Sequence, residues 1–455
     1  MKRIGRYIIR GLLGRGGMGK IYKVELPVTG KIFALKLLDP DPLVAKLLGI
    51  ERLNDLFFSE ARNMARLNHP NIVAIHDFDQ HDEKPFYVMD FFANNLGTMI
   101  GESHRIESPS RPLAVDKALD YVRQTLNGVA CLHDAGIYHR DIKPFNLLVT
   151  AWDMVKICDF GLSKLRGETF AGPRNLNVGS PFYAAPEQES NPDAIDQSAD
   201  LYSVGVLFYR MLTGKLPYLG PDRARFRPAS RINADLDEPW DRFLSKAMAS
   251  DPQNRFADAG DMIEALEGLK HHWNEQKEKS CALPIQPPPP EQRCTISEPI
   301  RTAPLKVPAK EAGTVFGLDH LWRPKKYVYP DYRLERASQL VTDQASGLTW
   351  QRSGSGNCLD WIQAGTYVDR LNETAWEGRR TWRLPTVSEL TTLLRPTPQG
   401  DQLCIAPVFD NTQRWIWSVD RRTFITAYYA DIELGFIGWQ DLSAPFYVRA
   451  VCDMR

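Results

Sequence analysis

Tyr138-His139-Arg140-Asp141-Ile142-Lys143-Pro144-Phe145-Asn146 and, thirteen residues further on, Asp159-Phe160-Gly161 hold the densest chemistry in this 455-residue chain. Asp141 is a candidate base, and Lys143 places a cation two positions later. Asn146 and Asp159 offer two oxygen ligands to a hard cation such as Mg²⁺. An acid, a cation and two metal ligands at these intervals imply transfer of the γ-phosphate of ATP to a hydroxyl.

Upstream, Gly14-x-Gly16-x-x-Gly19-x-Ile21 lies between two strand-like runs, Tyr7–Leu13 and Ile21–Leu26. Glycines let a hairpin backbone approach phosphate with no Cβ in the way. A dinucleotide site is the rival reading, but it needs a helix directly after the glycines. Ile21-Tyr22-Lys23-Val24 continues as strand instead. Phe33-Ala34-Leu35-Lys36 follows, an apolar strand ending on a lysine seventeen residues past the last loop glycine. Glu60 then falls in a helical pattern with Phe57, Phe58, Ala61, Met64 and Leu67. A buried Lys36–Glu60 pair would aim the ammonium at the α- and β-phosphates. Phe86-Tyr87-Val88-Met89-Asp90-Phe91-Phe92 reads as a buried strand leaving into a connector.

Taken together, residues 1 to about 270 resemble the bacterial eukaryotic-type serine/threonine protein kinases. The resemblance implies a bilobal α+β protein kinase fold, with a β-rich N-lobe, a helical C-lobe and ATP and Mg²⁺ (or Mn²⁺) as cofactors. It implies that Asp141 orients the incoming hydroxyl and that Lys143 neutralises charge on the transferring phosphoryl group, supported by Lys36 and Glu60. Asn146 and Asp159 would hold the metal. Gly14, Gly16, Gly19, Ile21, Ala34, Lys36, Met89, Asp90 and Phe92 would bind the nucleotide, with backbone groups of Asp90 and Phe92 meeting adenine. Lys143 in a K-P-x-N setting points to serine and threonine acceptors. Gly179–Glu187 would close an activation segment begun at Asp159, with Glu187 bridging to Arg255 and Asp200 steadying the catalytic loop. Within that segment Thr169 and Ser180 are the candidate phosphosites, Thr169 being the main one. Arg140 suggests a pocket that a phosphate would order. Two residues depart from the family: Phe145 replaces a common glutamate, which would alter peptide selection, and Ser180 replaces threonine. Cys158 reads as a buried, inert thiol. Because Lys36, Asp141 and Asp159 are all present, an active enzyme is expected, with a nucleotide-binding scaffold as the alternative.

Apolar residues make up 43% and charged residues 25%, an ordinary soluble composition, and the length implies two or three domains. Lys+Arg and Asp+Glu number 56 each, so no global field favours nucleic acid or an anionic membrane. Seven cysteines without a C-x-x-C pair fit free thiols in a reducing cytoplasm. No window reaches the ~18 apolar residues of a membrane span, and Arg10, Gly14 and Arg15 break the one N-terminal apolar run. A cytoplasmic protein with protein substrates is expected.

Prolines at 284, 287–290, 299, 304 and 308 among polar residues mark an extended linker. The expected boundaries are 1–272 for the kinase domain, 273–326 for the linker and 327–455 for a small, aromatic-rich α+β domain. Eight of the eleven tryptophans lie between 322 and 439. Trp361, Ala364, Tyr367, Val368 and Leu371 recur at helical spacing. Trp382-Arg383-Leu384-Pro385-Thr386 leads into a capped helix, and Trp415–Ser418 and Tyr447–Val451 read as late strands. This order resembles the Lcl C-terminal domain family, which implies a C-type-lectin-like scaffold and a ligand- or partner-recognition module. It is also distantly similar to formylglycine-generating enzymes, in which case Cys404 and Cys452 would be the reactive pair.

Overall fold

Apolar residues at the two-residue period of strands build the first layer, an antiparallel sheet. The computed structural model describes residues 2–102, 108–159, 182–190, 195–218, 226–281, 300–334, 339–396 and 403–454. Contacts divide the chain into two units, Met1–Leu283 and Pro284–Arg455. The first opens with β1 (Arg3–Ile4), β2 (Tyr7–Arg15), β3 (Gly19–Glu25) and β4 (Ile32–Leu38). Helices α1 (Pro42–Leu48) and α2 (Ile50–Ala65) follow, then β5 (Ile75–His81) and β6 (Lys84–Asp90). Sheet order is β1-β2-β3-β4-β6-β5. Tyr7, Val24, Phe33, Leu35, Phe86 and Val88 form one core cluster of this lobe. Leu53, Phe57, Glu60, Ala61 and Met64 are the buried stripe of α2, at three- and four-residue spacing. Glu60 is thus a carboxylate set within an apolar face.

The second lobe runs β7 (Asn94–Asn95), α3 (Leu96–Ile100), α4 (Val115–Asp134), β8 (Leu147–Val149) and β9 (Val155–Ile157). It continues with α5 (Pro186–Ser190), α6 (Ser198–Thr213), α7 (Glu238–Ala247) and α8 (Ala259–Cys281). Every residue of α6 is buried, the signature of a helix with no solvent face. It is the pillar on which α4 and α7 pack, and α4 also packs on α8 and β9.

The second unit contains α9 (Ala309–Val315), β10 (Tyr332–Leu334), β11 (Leu340–Asp343) and β12 (Leu348–Gln351). Then come α10 (Trp361–Glu373), α11 (Val387–Leu393), β13 (Trp415–Arg421), β14 (Thr426–Asp431), β15 (Phe436–Asp441) and β16 (Val451–Asp453). The strands form two sheets, β10-β11-β12-β16 and β13-β14-β15, around one core that includes Trp350, Leu390, Ile416, Tyr428 and Val451. The late strand expected at Tyr447–Val451 begins only at Val451; Tyr447 makes an isolated bridge to Ile416.

The stretch 273–326 is not an extended linker throughout. Residues 273–281 are the end of α8. Val307, Ala312, Phe316 and Leu318 are buried in the core of the second unit, and Lys306 bridges to Arg421. Proline content misled here because Pro308 caps α9, a position that needs no N–H. The four-proline run 287–290 lies outside the described residues.

Candidate active site

Strand register sets the first row of the site. Gly14 lies opposite Ile21, Ile21 opposite Lys36, and Lys36 opposite Tyr87. Two residues along, Ala34 lies opposite Met89, so both share the face that carries Lys36. Helix α2 brings Glu60 to this row. Lys36 Nζ donates to Glu60 Oε1 at 2.9 Å and to Asp159 Oδ1 at 3.0 Å. Burial alone would strip the Lys36 proton, but Asp159 and Glu60 outweigh it and hold the ammonium well above the usual lysine range. Burial pushes the Glu60 carboxyl up against the pull of Lys36. For Asp159 burial acts in the same sense, yet Lys36 prevails and holds that carboxyl below the usual carboxylate range.

Sequence reasoning missed the third member of the row. The Tyr87 hydroxyl donates to Glu60 Oε1 at 3.1 Å and is fully buried. Burial first, and Glu60 second, push its phenol well up, so it stays a neutral donor. Its position two residues before Met89 on an alternating strand was the available signal. A hydrogen bond to a charged group contributes about 1.5–3 kcal/mol. Tyr87→Phe should therefore leave the fold intact and lower kcat/KM roughly ten-fold, measured by steady-state kinetics with circular dichroism as the control.

The three loop glycines serve two different ends. A Cβ at Gly14 or Gly16 would meet no protein atom within 4 Å, whereas one at Gly19 would lie 2.1 Å from the Leu37 carbonyl oxygen. Gly19 is required by the β3–β4 pairing itself, while Gly14 and Gly16 border open space with room for a phosphate. The loop tip is fastened by Asp41 N–H to the Gly17 carbonyl at 3.0 Å and Asp39 N–H to the Met18 carbonyl at 3.2 Å. Gly19→Ala should cost about 1–3 kcal/mol of stability through overpacking. Gly14→Ala should fold normally and raise KM for ATP; thermal unfolding and ATP titration separate the two outcomes.

The tract 138–146 is held by Asp200 in the N-terminal turn of α6. Asp200 Oδ2 accepts from the His139 N–H at 2.8 Å and from His133 Nε2 at 2.9 Å, and Oδ1 accepts from the Arg140 N–H at 2.6 Å. Burial would raise the Asp200 carboxyl, but the His133 contact outweighs it and holds it low. Arg140 needs this support because its φ of 62° is left-handed, a conformation costing on the order of 1–3 kcal/mol. Gln188 Nε2 donates to the Arg140 carbonyl at 2.8 Å, tying in the chain after the activation segment. His139 is buried; its Nδ1 accepts from the Asp141 N–H at 3.2 Å, so Nε2 carries the proton and donates to the Cys158 carbonyl at 3.0 Å. One imidazole thus spaces Asp141 against the residue before Asp159.

On this frame Lys143 Nζ donates to Asp141 Oδ2 at 2.7 Å. Asn146 Nδ2 donates to the Asp141 carbonyl at 2.9 Å and to Oδ2 at 3.1 Å. Both of these Asn146 side-chain contacts use the amide nitrogen, so Oδ1 is the atom that could face a cation. Asp159 and Asn146 therefore present hard oxygen donors, one of them ionised, and fit a small divalent cation. Cys158 is buried, its thiol pushed well up by burial and donating to the Asn146 carbonyl at 3.4 Å, as an inert cysteine should. Phe145 is 42% exposed, and its ring lies where a Cβ on Gly97 would stand, 2.7 Å from Cδ1. At the connector, the Asp90 N–H donates to the Ala74 carbonyl at 3.3 Å and its carboxylate meets His76 Nε2 at 2.6 Å. Phe92 lies beside Lys156, whose Nζ is 5.9 Å from the ring centre. Thr169 and Ser180 lie outside the described residues.

Beyond the segment, Arg255 makes a two-pronged bridge to Glu187, at 2.6 and 2.8 Å. A second buried cluster was not foreseen: the Tyr183 hydroxyl donates to Glu102 Oε2 at 2.8 Å, and Arg210 of α6 stands 3.5 Å from the same oxygen. It joins the end of the activation segment to the pillar helix.

In the second unit the W-R-L-P-T motif proves architectural. Thr386 is the N-cap of α11 and forms a capping box with Glu389, whose carboxylate also meets Arg383 at 2.6 Å. Trp350, Trp382, Trp415 and Trp417 are core residues. Cys404 and Cys452 are both free thiols in different surroundings: Cys404 donates to the Glu433 carbonyl, and Cys452 lies beside Arg379. Burial pushes both up, Cys404 to about 12, so neither resembles an activated thiol and the oxidative reading gains no support.

Residues 7–274 match the family model of the protein kinase domain, and the chain belongs to that family. Residues 339–452 match the Lcl C-terminal domain. Among curated relatives, the serine/threonine-protein kinase pkn3 of Myxococcus xanthus is 32% identical over 278 residues, covering 56% of this chain and 48% of that protein. A probable serine/threonine-protein kinase PknB of Lactococcus lactis subsp. lactis is 32% identical over 274 residues, covering 57% and 41%. The chain thus spans less than half the length of these relatives. The solved kinase domain of Mycobacterium tuberculosis PknI is 25% identical, with 60% of this chain and 97% of that one covered at a TM-score of 0.45.

Proposed function

We propose that this chain is an ATP-dependent serine/threonine protein kinase that also phosphorylates its own activation segment, Thr169 first. The assembled set Lys36–Glu60–Asp159 beside Asp141–Lys143–Asn146 is the observation that carries this reading. Asp141 would accept the proton of the incoming hydroxyl, and Lys143, already on its Oδ2, would meet negative charge growing on the phosphoryl oxygens. Lys36 would orient the α- and β-phosphates, and Gly14 and Gly16 leave room for them. Asn146 Oδ1 and the Asp159 carboxylate would hold Mg²⁺, which when bound supplies charge neutralisation across the phosphates. Lys143-Pro144 and the similarity to serine/threonine kinases support hydroxyls of serine and threonine as acceptors, in the cytoplasm where ATP is supplied. The second unit would serve as a recognition module.

Incubation with γ-labelled ATP and Mg²⁺ tests the proposal, alongside Lys36→Met and Asp141→Asn. Label in the wild type alone, mapping to Thr169, is the expected result. Nucleotide binding without transfer in the wild type would instead leave a nucleotide-binding scaffold.

A further inference from the structure

The hairpin that joins β13 to β14 ends in Arg421-Arg422-Thr423-Phe424-Ile425-Thr426. Its turn is tightly built. The N–H groups of Arg422 and Thr423 both donate to the Thr426 carbonyl, at 3.0 and 3.2 Å, and the two threonine hydroxyls meet at 2.8 Å. At the apex Phe424 is 76% exposed and Ile425 55% exposed. Single exposed apolar residues are common, but a contiguous pair on a rigid turn with more beside it is not. Ile362, at the start of the neighbouring α10, is 71% exposed.

Three cations surround that apex, each over an aromatic ring. Lys306 Nζ lies 3.4 Å from the centre of Phe424, Arg421 4.1 Å from Trp361 and Arg422 4.6 Å from Trp439. Lys306 is placed by its bridge to Arg421, and Trp361 by Nε1 donating to the Ser418 carbonyl at 2.9 Å. Of the nearby acids, Asp420 is fully buried and paired with Arg301 at 2.6 Å. Asp441, opposite Thr426, accepts from the Ser443 hydroxyl and Asp360 from the Gln363 N–H, neutral donors that do not cancel a carboxylate's charge, so cations outnumber acids here by three to two. The equal totals of acidic and basic residues over the whole chain conceal this local excess.

We propose that this hairpin tip docks the protein on the surface of an anionic lipid bilayer. An exposed apolar apex with cations set beside it suits such a surface, where hydrocarbon and anionic headgroups lie close together. Nucleic acid fits less well, because half of the exposed apex is Ile425, an aliphatic side chain with no ring on which a base could stack.

The full chain should be sedimented with vesicles of equal parts phosphatidylglycerol and phosphatidylcholine, and with phosphatidylcholine alone. Partition is expected only with the anionic vesicles and should weaken with added salt. Phe424→Ser combined with Ile425→Ser should lower it by on the order of ten-fold, and Lys306→Gln or Arg422→Gln by about five-fold each. Thermal unfolding and autophosphorylation in solution should be unchanged in these variants. No partition, or partition untouched by the serine pair, would overturn the proposal. So would a change of oligomeric state with the serine pair, which would make the tip a protein contact, or equal binding to single-stranded RNA, which would make it a polyanion surface.

Discussion

Asp141→Asn should lower kcat by roughly 10²–10⁴-fold, the range that a positioned base contributes, while KM for ATP changes little. The geometry makes the substitution a clean one. Two donors, Lys143 Nζ and Asn146 Nδ2, converge on a single oxygen, Asp141 Oδ2. In the asparagine variant the one remaining oxygen can still accept both. The other position becomes an NH₂ group, which donates and so cannot take a proton from the acceptor hydroxyl. The backbone frame does not involve the changed group, since His139 and Asp200 hold the loop through main-chain atoms. The loss should therefore appear in single-turnover phosphoryl transfer, with nucleotide affinity and unfolding temperature close to wild type. A large rise in KM for ATP instead would place Asp141 in nucleotide binding.

What the sequence revealed of this site depended on how local each cue was. Asp141, Lys143 and Asn146 sit within one six-residue window, so their meeting follows from the loop alone. Lys36 and Glu60 were legible for a different reason: a strand end and a helical stripe each fix a direction, and the two directions converge. Tyr87 escaped because its two-residue spacing to Met89 gives its face but not its partner, which depends on the β4–β6 register. Glu102 escaped likewise, being the partner of Tyr183 at a separation of 81 residues. The glycines were legible as a loop but not in their separate duties, because the Leu37 carbonyl that excludes a Cβ at Gly19 belongs to the next strand.

The second unit shows the opposite error. Proline and polar content suggested that order begins near 327, yet Val307, Ala312 and Phe316 are core residues. Composition registers how a segment would behave alone; it is silent on a surface elsewhere that can bury three apolar side chains. The W-R-L-P-T motif gave a correct helix start from Thr386 and Glu389, since a capping box is itself a local device.

Arg255→Ala should be the most destabilising single change in the first unit, at about 3–5 kcal/mol, as expected when one partner of a buried ion pair is removed. The guanidinium is fully buried and makes more than the bridge to Glu187. Its Nε donates to the Ala249 carbonyl at 2.7 Å, and its terminal nitrogens donate to the Ser198 carbonyl at 3.1 Å and the Ser250 carbonyl at 3.2 Å. It also lies 4.9 Å from the centre of the Tyr202 ring. Truncation would remove one donor from a carboxylate and from three carbonyls together. Glu187→Ala should cost less, because the guanidinium would keep its three carbonyls and Glu187 retains some solvent access. Arg255→Lys should not rescue, since one ammonium cannot reproduce the fork and the three backbone contacts at once. Calorimetry should show the midpoint of the transition that includes this unit lower by on the order of 10 °C for Arg255→Ala. Equal shifts for Arg255→Ala and Glu187→Ala would mean that the ion pair alone, and not the carbonyl cage around the arginine, supports the end of the activation segment.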